Sequence, residues 1–125
     1  MIDFKNSVFL NLDSVTNNAF LTTLRFYMVE DEEILYSFKG IRDGVVFTNK
    51  RIFAINIQGI TGKKYDITSI PYKKIQAFSF ETAGTLDLDA ELVLWLSGVG
   101  SVKFKFEADI ELDDIYQLIA REVLV

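Results

Sequence analysis

The sequence predicts a mainly β (α+β) domain: seven antiparallel strands closed by one C-terminal helix and preceded by a helical N-terminal segment. Three observations predict it. Between Ile34 and Phe106 the chain is a series of short runs rich in Ile, Val, Phe and Tyr, separated by Gly, Asn and Asp clusters. After Glu107 the apolar period changes from two to about 3.6. At 125 residues, half of them hydrophobic and none of them cysteine, the chain can bury one core without metal or disulfide staples.

From Leu12 to Met28 the apolar positions Leu12, Val15, Ala19, Phe20, Leu24 and Met28 have helical spacing, so a helix is expected there. The acidic run Glu30 to Glu33 ends it and reads as a solubilising boundary. Strands are expected at Ile34 to Lys39, Val45 to Thr48, Arg51 to Gln58, Lys63 to Ile67, Ile75 to Glu81, Glu91 to Ser97 and Ser101 to Glu107. Asp43-Gly44 and Asn49 mark turns, Gly59 and Gly62 flank a third, and Gly98 with Gly100 flank the last. Val102 to Phe106 alternates, with apolar residues on one face and Lys103 and Lys105 on the other. Arg51 to Ile57 is apolar on both faces, as in a strand covered on both sides by a helix or a neighbouring subunit. Leu112, Ile115, Tyr116, Leu118, Ile119 and Val123 form the stripe of a final amphipathic helix, with Asp109 as N-cap and Glu111, Asp113 and Asp114 near its positive end. Its apolar face would plug an open end of a sandwich or barrel.

Several function classes fall at this level. Without histidine or cysteine there is no Ser-His-Asp or Cys-His arrangement, no imidazole ligand and no thiolate. A net charge of -5 argues against a general nucleic-acid binder, which must neutralise phosphates with Lys and Arg. The start, MIDFKNSVFLNLDSV, does not read as a signal peptide, and no run approaches the ~20 apolar residues of a membrane-spanning helix. The expectation is a soluble, cytoplasmic protein. Gly59 to Lys64 fails the phosphate-loop pattern, because Ile57 and Lys64 stand where Gly and Ser or Thr are needed. Asp87, Asp89 and Glu91 place carboxylates at alternate positions, suited to an oxygen-loving cation but outside the EF-hand pattern; a solvated loop is the simpler reading. Trp95, amid Val93, Leu94 and Leu96, reads as core or interface before it reads as a ligand platform.

One basic cluster stands out. Lys50 and Arg51 sit where the chain must turn, and Lys39 and Arg42 join them if the first two hairpins are neighbours, which makes these four the candidate anion-binding residues. The competing reading is that these charges keep hairpin tips soluble, block edge pairing or meet the acidic half of an adjacent subunit. That acidic half is real: residues 39–74 hold eight Lys or Arg against two acids, and residues 81–125 hold ten acids against three bases.

Glu33-Ile34-Leu35-Tyr36-Ser37-Phe38, the hairpin Asp43-Gly44-Val45-Val46-Phe47-Thr48-Asn49-Lys50-Arg51-Ile52 and the segment Ile70-Pro71-Tyr72-Lys73-Lys74-Ile75 resemble the bacterial pleckstrin-homology-like family. The resemblance spans about residues 30–124 and leaves 1–29 as a helical extension of a single domain. It implies a PH-like barrel of two roughly orthogonal antiparallel sheets, seven strands in all, capped at one end by the last helix. It also implies that Asn49 takes a left-handed turn while the stems of Lys50 and Arg51 cover apolar surface. Relatives form ring-shaped homo-oligomers, so a pentamer-like ring is the form it implies here. No catalytic residue, metal site or cofactor is expected.

Three functions compete. The first is a non-enzymatic, self-assembling interaction domain that displays repeated copies of a surface to a protein partner. The second is a peripheral binder of anionic lipid or a phosphorylated ligand through Lys39, Arg42, Lys50 and Arg51. The third, ranked last, is a cation-dependent enzyme built on Asp87, Asp89 and Glu91.

Overall fold

The computed structural model describes residues 1–5, 7–84, 89–107 and 112–125. Eight strands make one curled sheet: β1 Ser7–Val15, β2 Ile34–Lys39, β3 Asp43–Thr48, β4 Arg51–Gln58, β5 Lys64–Pro71, β6 Ile75–Glu81, β7 Ala90–Leu96 and β8 Gly100–Phe106. Their order across the sheet is β5-β4-β3-β2-β1-β8-β7-β6. One helical turn, α1 Leu21–Leu24, follows β1, and the chain closes with α2 Leu112–Val123. The seven expected strands all form within a few residues of their expected ends. Asp87, Asp109 and Glu111 lie outside the described residues.

The N-terminal segment corrects the expectation most. Residues 12–28 do not form one continuous helix: 12–15 are the end of β1, and only Leu21–Leu24 are helical. Asn11, whose φ of 55° places it in the left-handed region, sits at a bulge of β1 between Phe9 and Leu12. The helical spacing instead joins residues of two separate clusters, Leu12 inside the curl and Val15, Phe20, Leu24 and Met28 on its outer cover. The low helix propensity of Asn17, Asn18, Thr22 and Thr23 then leaves only the single turn of α1.

The same bulge explains why two orthogonal sheets are not found. Before it, Ser7, Val8 and Phe9 pair in parallel with Val102, Lys103 and Phe104 of β8; after it, Asp13, Ser14 and Val15 pair antiparallel with Lys39, Phe38 and Ser37 of β2. One strand therefore stitches both halves into a continuous sheet. The terminal strands β5 and β6 are not paired with each other, and Tyr72–Lys74 joins them as a short 3-10 turn.

Phe47, Ile52, Leu92, Leu94, Phe104 and Phe106 fill the inside of the curl. Helix α2 adds Ile115, Leu118 and Ile119 to that core and packs against the 3-10 turn and β6, with Tyr116 against Phe78 and Phe80. A second cluster covers the outside of β3 and β4, where Phe20 and Leu24 pack on Val46, Phe53 and Ile55. The second cover of the doubly apolar strand β4 thus comes from the chain's own N-terminal segment. Gly44 belongs to this contact rather than to a turn. It lies within β3, and a Cβ there would collide with the Phe20 ring. The turn itself is Gly40-Ile41-Arg42, closed by the Gly40 N–H on the Asp43 carbonyl at 2.8 Å.

Candidate functional site

An arginine that opens a strand buried on both faces needs a counter-charge, because an unpaired buried charge is costly. Glu32 supplies it. Its side chain is fully buried (0% exposed), and it receives Arg51 through two nitrogens, Nη2 to Oε1 at 2.7 Å and Nε to Oε2 at 3.0 Å. The Thr48 hydroxyl lies 2.7 Å from Oε2, and the Val29 N–H donates to Oε1 at 2.9 Å. Burial alone would raise the Glu32 pKa; the bonds from Arg51, Thr48 and Val29 and the Arg51 charge outweigh it and hold the carboxyl at about 2.

The remaining groups of the hairpin turn toward the same loop. Arg51 Nη2 donates to the Tyr27 carbonyl at 2.7 Å, Nη1 to Ser69 Oγ at 3.2 Å, and the guanidinium stacks over Phe53, 4.3 Å from the ring centre. The Thr48 hydroxyl accepts the N–H groups of Lys50 and Arg51, both at 3.0 Å, which shapes the turn from a side chain. Asn49 does not take the left-handed conformation; among the described non-glycine residues only Asn11 and Asp31 do. Its amide instead bridges the loop, accepting the Glu33 N–H at 2.7 Å and donating to the Asp31 carbonyl at 2.9 Å. Tyr72 donates to the Thr48 carbonyl at 2.7 Å, and its hydroxyl pKa is raised by burial and by the charges of Glu122 and Glu32. Thr48 to Arg51 is therefore a clasp on residues 27–33.

The four candidate anion-binding residues are not brought together. Lys39 and Arg42 lie at one end of β3 and Lys50 and Arg51 at the other, separated by a six-residue strand of about 20 Å. Arg42 donates to the Gly59 carbonyl at 2.6 Å, and Arg51 is taken by Glu32. Lys50 borders a cleft of about 310 Å³ with Lys73, Tyr72 and Glu122. Among the described residues no group of three or more His, Cys, Asp or Glu side chains is placed to hold a metal ion. No described helix is long and apolar enough to cross a membrane.

Two apolar surfaces lie outside the core. The clasped loop exposes Phe26, Tyr27 and Val29, with Phe26 82% accessible. The outer face of β1, β8 and β7 exposes Val8, Leu10 and Trp95, so Trp95, at 52% exposed, is a surface residue and not part of the core. Sequence reasoning missed the special role of Glu32 inside an acidic run; the signal that pointed to it was Arg51 at the mouth of an apolar strand.

Comparison with known proteins agrees with this architecture. The model of the bacterial PH domain family matches residues 3–123. The uncharacterised protein YjqA of Bacillus subtilis is 42% identical over 112 residues, which cover 88% of this chain and 90% of YjqA. A crystal structure of a DUF1696 family protein with a pleckstrin-homology domain from Shewanella loihica is similar with a TM-score of 0.78 and 39% identity, covering 90% of this chain and 97% of that one. A pleckstrin homology domain from Shewanella amazonensis is similar with a TM-score of 0.67 and 40% identity, covering 89% and 90%. With its curled sheet, its closing helix and a match that includes β1, the chain belongs to the bacterial PH domain family.

Proposed function

We propose that this protein is a non-enzymatic PH-like domain that assembles into a ring-shaped homo-oligomer and serves as a scaffold for a protein partner. The observation that carries this reading is the pair of exposed apolar surfaces, Phe26 with Tyr27 and Val29, and Val8 with Leu10 and Trp95. Scattered single apolar residues on a surface need no explanation, but grouped ones mark contacts. The opposite charges of residues 39–74 and 81–125 support association of unlike surfaces, and a ring multiplies weak contacts with a partner by avidity. Native mass measured over protein concentration and salt tests it. A discrete oligomer at micromolar concentration is expected, and a monomer throughout would overturn the reading.

The cleft between Lys50 and Lys73 favours a second reading, a peripheral binder of anionic lipid or a phosphorylated ligand. Flotation with anionic liposomes would then be strong at low salt and lost as salt screens the lysines. Equal recovery with neutral liposomes would dispose of it.

A further inference from the structure

We infer that the open edge of β6 is the docking site for an extended segment of a partner protein, which adds to the sheet as a further strand. This rests on the scaffold reading and names what the scaffold takes and where.

A sheet that does not close has two edges, here β5 and β6. An edge is a row of unmet N–H and C=O groups, and proteins blunt such rows with Pro, with Lys or by covering them. Strand β5 is blunted. It starts on Lys64 and ends on Pro71, and residue 2 lies against it, with the Ile2 N–H on Thr68 Oγ1 at 3.1 Å. Strand β6 has neither Pro nor Lys, and its one charge, Glu81, stands at its end. A register shift lies between Ile75 and Ala77, and from Ala77 to Glu81 the pairing with β7 is regular. Among the described residues no backbone group outside the sheet bonds to β6, and Ala77, Ser79 and Glu81 are exposed.

The edge itself selects its occupant. Charge does not, because Glu81 and Glu91 on the outer face are balanced by Lys103 and Lys105. The backbone does: alternate residues of β6 turn their N–H and C=O away from β7, and an extended chain is what meets such a row. Side chains of the added strand fall alternately on the two faces of the sheet. On the inner face they meet half-buried Phe78 and Phe80 and the Tyr116 ring of α2, which lies 5.4 Å from the first and 5.3 Å from the second. On the outer face they meet only the small side chains of Ala77 and Ser79 beside Glu81. The segment that fits therefore carries aromatic or β-branched residues at every second position. A second copy is a poorer occupant. Its β5 edge is blunted, and β6 against β6 is a two-fold contact that closes on itself and builds no ring.

Selection of short random peptides displayed on phage, against the whole protein, tests this. Enriched peptides are expected to carry aromatic or β-branched residues at every second position and, when bound, to slow amide exchange at residues 77–81. Methyl groups on every second peptide nitrogen should abolish binding in one phase and spare it in the other, because an added strand pairs through one of its edges. Ser79→Lys, which gives β6 a guard like that of β5, should weaken binding. Tyr116→Ser, on a helix residue that is 41% exposed, should weaken it at least about tenfold, as for loss of an aromatic anchor. No enriched peptide, a peptide that tolerates both methylation phases, or protection elsewhere in the chain would overturn the proposal. Amides of β6 already protected in the free protein and released on dilution would overturn it too, by putting a second copy there. Native mass is read in the same samples: binding by a monomer would leave this site standing and overturn the ring.

Discussion

At the scale of the residue, Glu32 and Arg51 decide how the hairpin behaves. A carboxylate held at about 2 against an ordinary 4.5 stabilises the fold by about 3 kcal/mol, an order-of-magnitude figure from 1.36 kcal/mol per pKa unit. Because the folded value is the lower one, that stability is complete above pH 4.5 and is lost as the pH falls from 4.5 toward 2. Urea unfolding at pH 7 and at pH 3 should show the loss. Glu32→Gln should destabilise the protein by about 2–4 kcal/mol at pH 7 and flatten its pH dependence over that window, since Arg51 keeps a neutral acceptor but no counter-charge. An unchanged acid slope in Glu32→Gln would refute the assignment. Arg51→Lys is not conservative here. It keeps the charge but loses the two-nitrogen grip on Glu32, the bond to Tyr27 and the stack on Phe53, so faster amide exchange across residues 27–33 is expected.

At the scale of the element, the N-terminal segment shows where pattern and packing part. The strands β2 to β8 were legible because each is a short run rich in β-branched and aromatic residues between turn residues, and α2 was legible because its stripe is continuous from Leu112 to Val123. The segment from Leu12 was misread because Leu12 belongs to the inner core and Val15, Phe20, Leu24 and Met28 to the outer cluster, so residues of two separate clusters share one helical spacing. Gly44 was misread because its turn-like Asp-Gly pair conceals a packing role: the Phe20 ring lies where its side chain would be. Gly44→Ala is therefore expected to cost about 1–3 kcal/mol by forcing Phe20 and α1 off the outer face of β3. The cost should shrink in a Phe20→Ala background, where the space is empty, and a thermal-unfolding double-mutant cycle reads that coupling. Strict additivity of the two changes would show that Phe20 is not what Gly44 accommodates.

At the scale of the molecule, residues 1–29 are part of the sheet and its outer cover. Strand β1 lies between β8 and β2 and contributes Phe9 and Leu12 to the core, while Phe20 and Leu24 cover β3 and β4. Deleting residues 1–29 should not leave a folded barrel: it opens two strand edges and exposes both apolar clusters. Poor amide dispersion in the truncated chain is the expected result, and a native-like spectrum would show that the segment is an extension after all. The clasp, the loop it presents and the Trp95 face belong to this scale too, because the residues involved are far apart in sequence and meet only through the curl of the sheet.

The sequence by itself determined the β-rich class, the positions of seven strands, the final helix and the family, because local period and turn residues specify elements one at a time. It also determined that histidine- and cysteine-based chemistry is absent. Only the tertiary structure decided that one sheet replaces two, that Arg51 is tied to Glu32 nineteen positions away, and that Trp95 faces outward. The physical reason is the same in each case. Strand partner, ion-pair partner and buried face are set by contacts between residues distant in the chain, and those contacts exist only once the elements have packed.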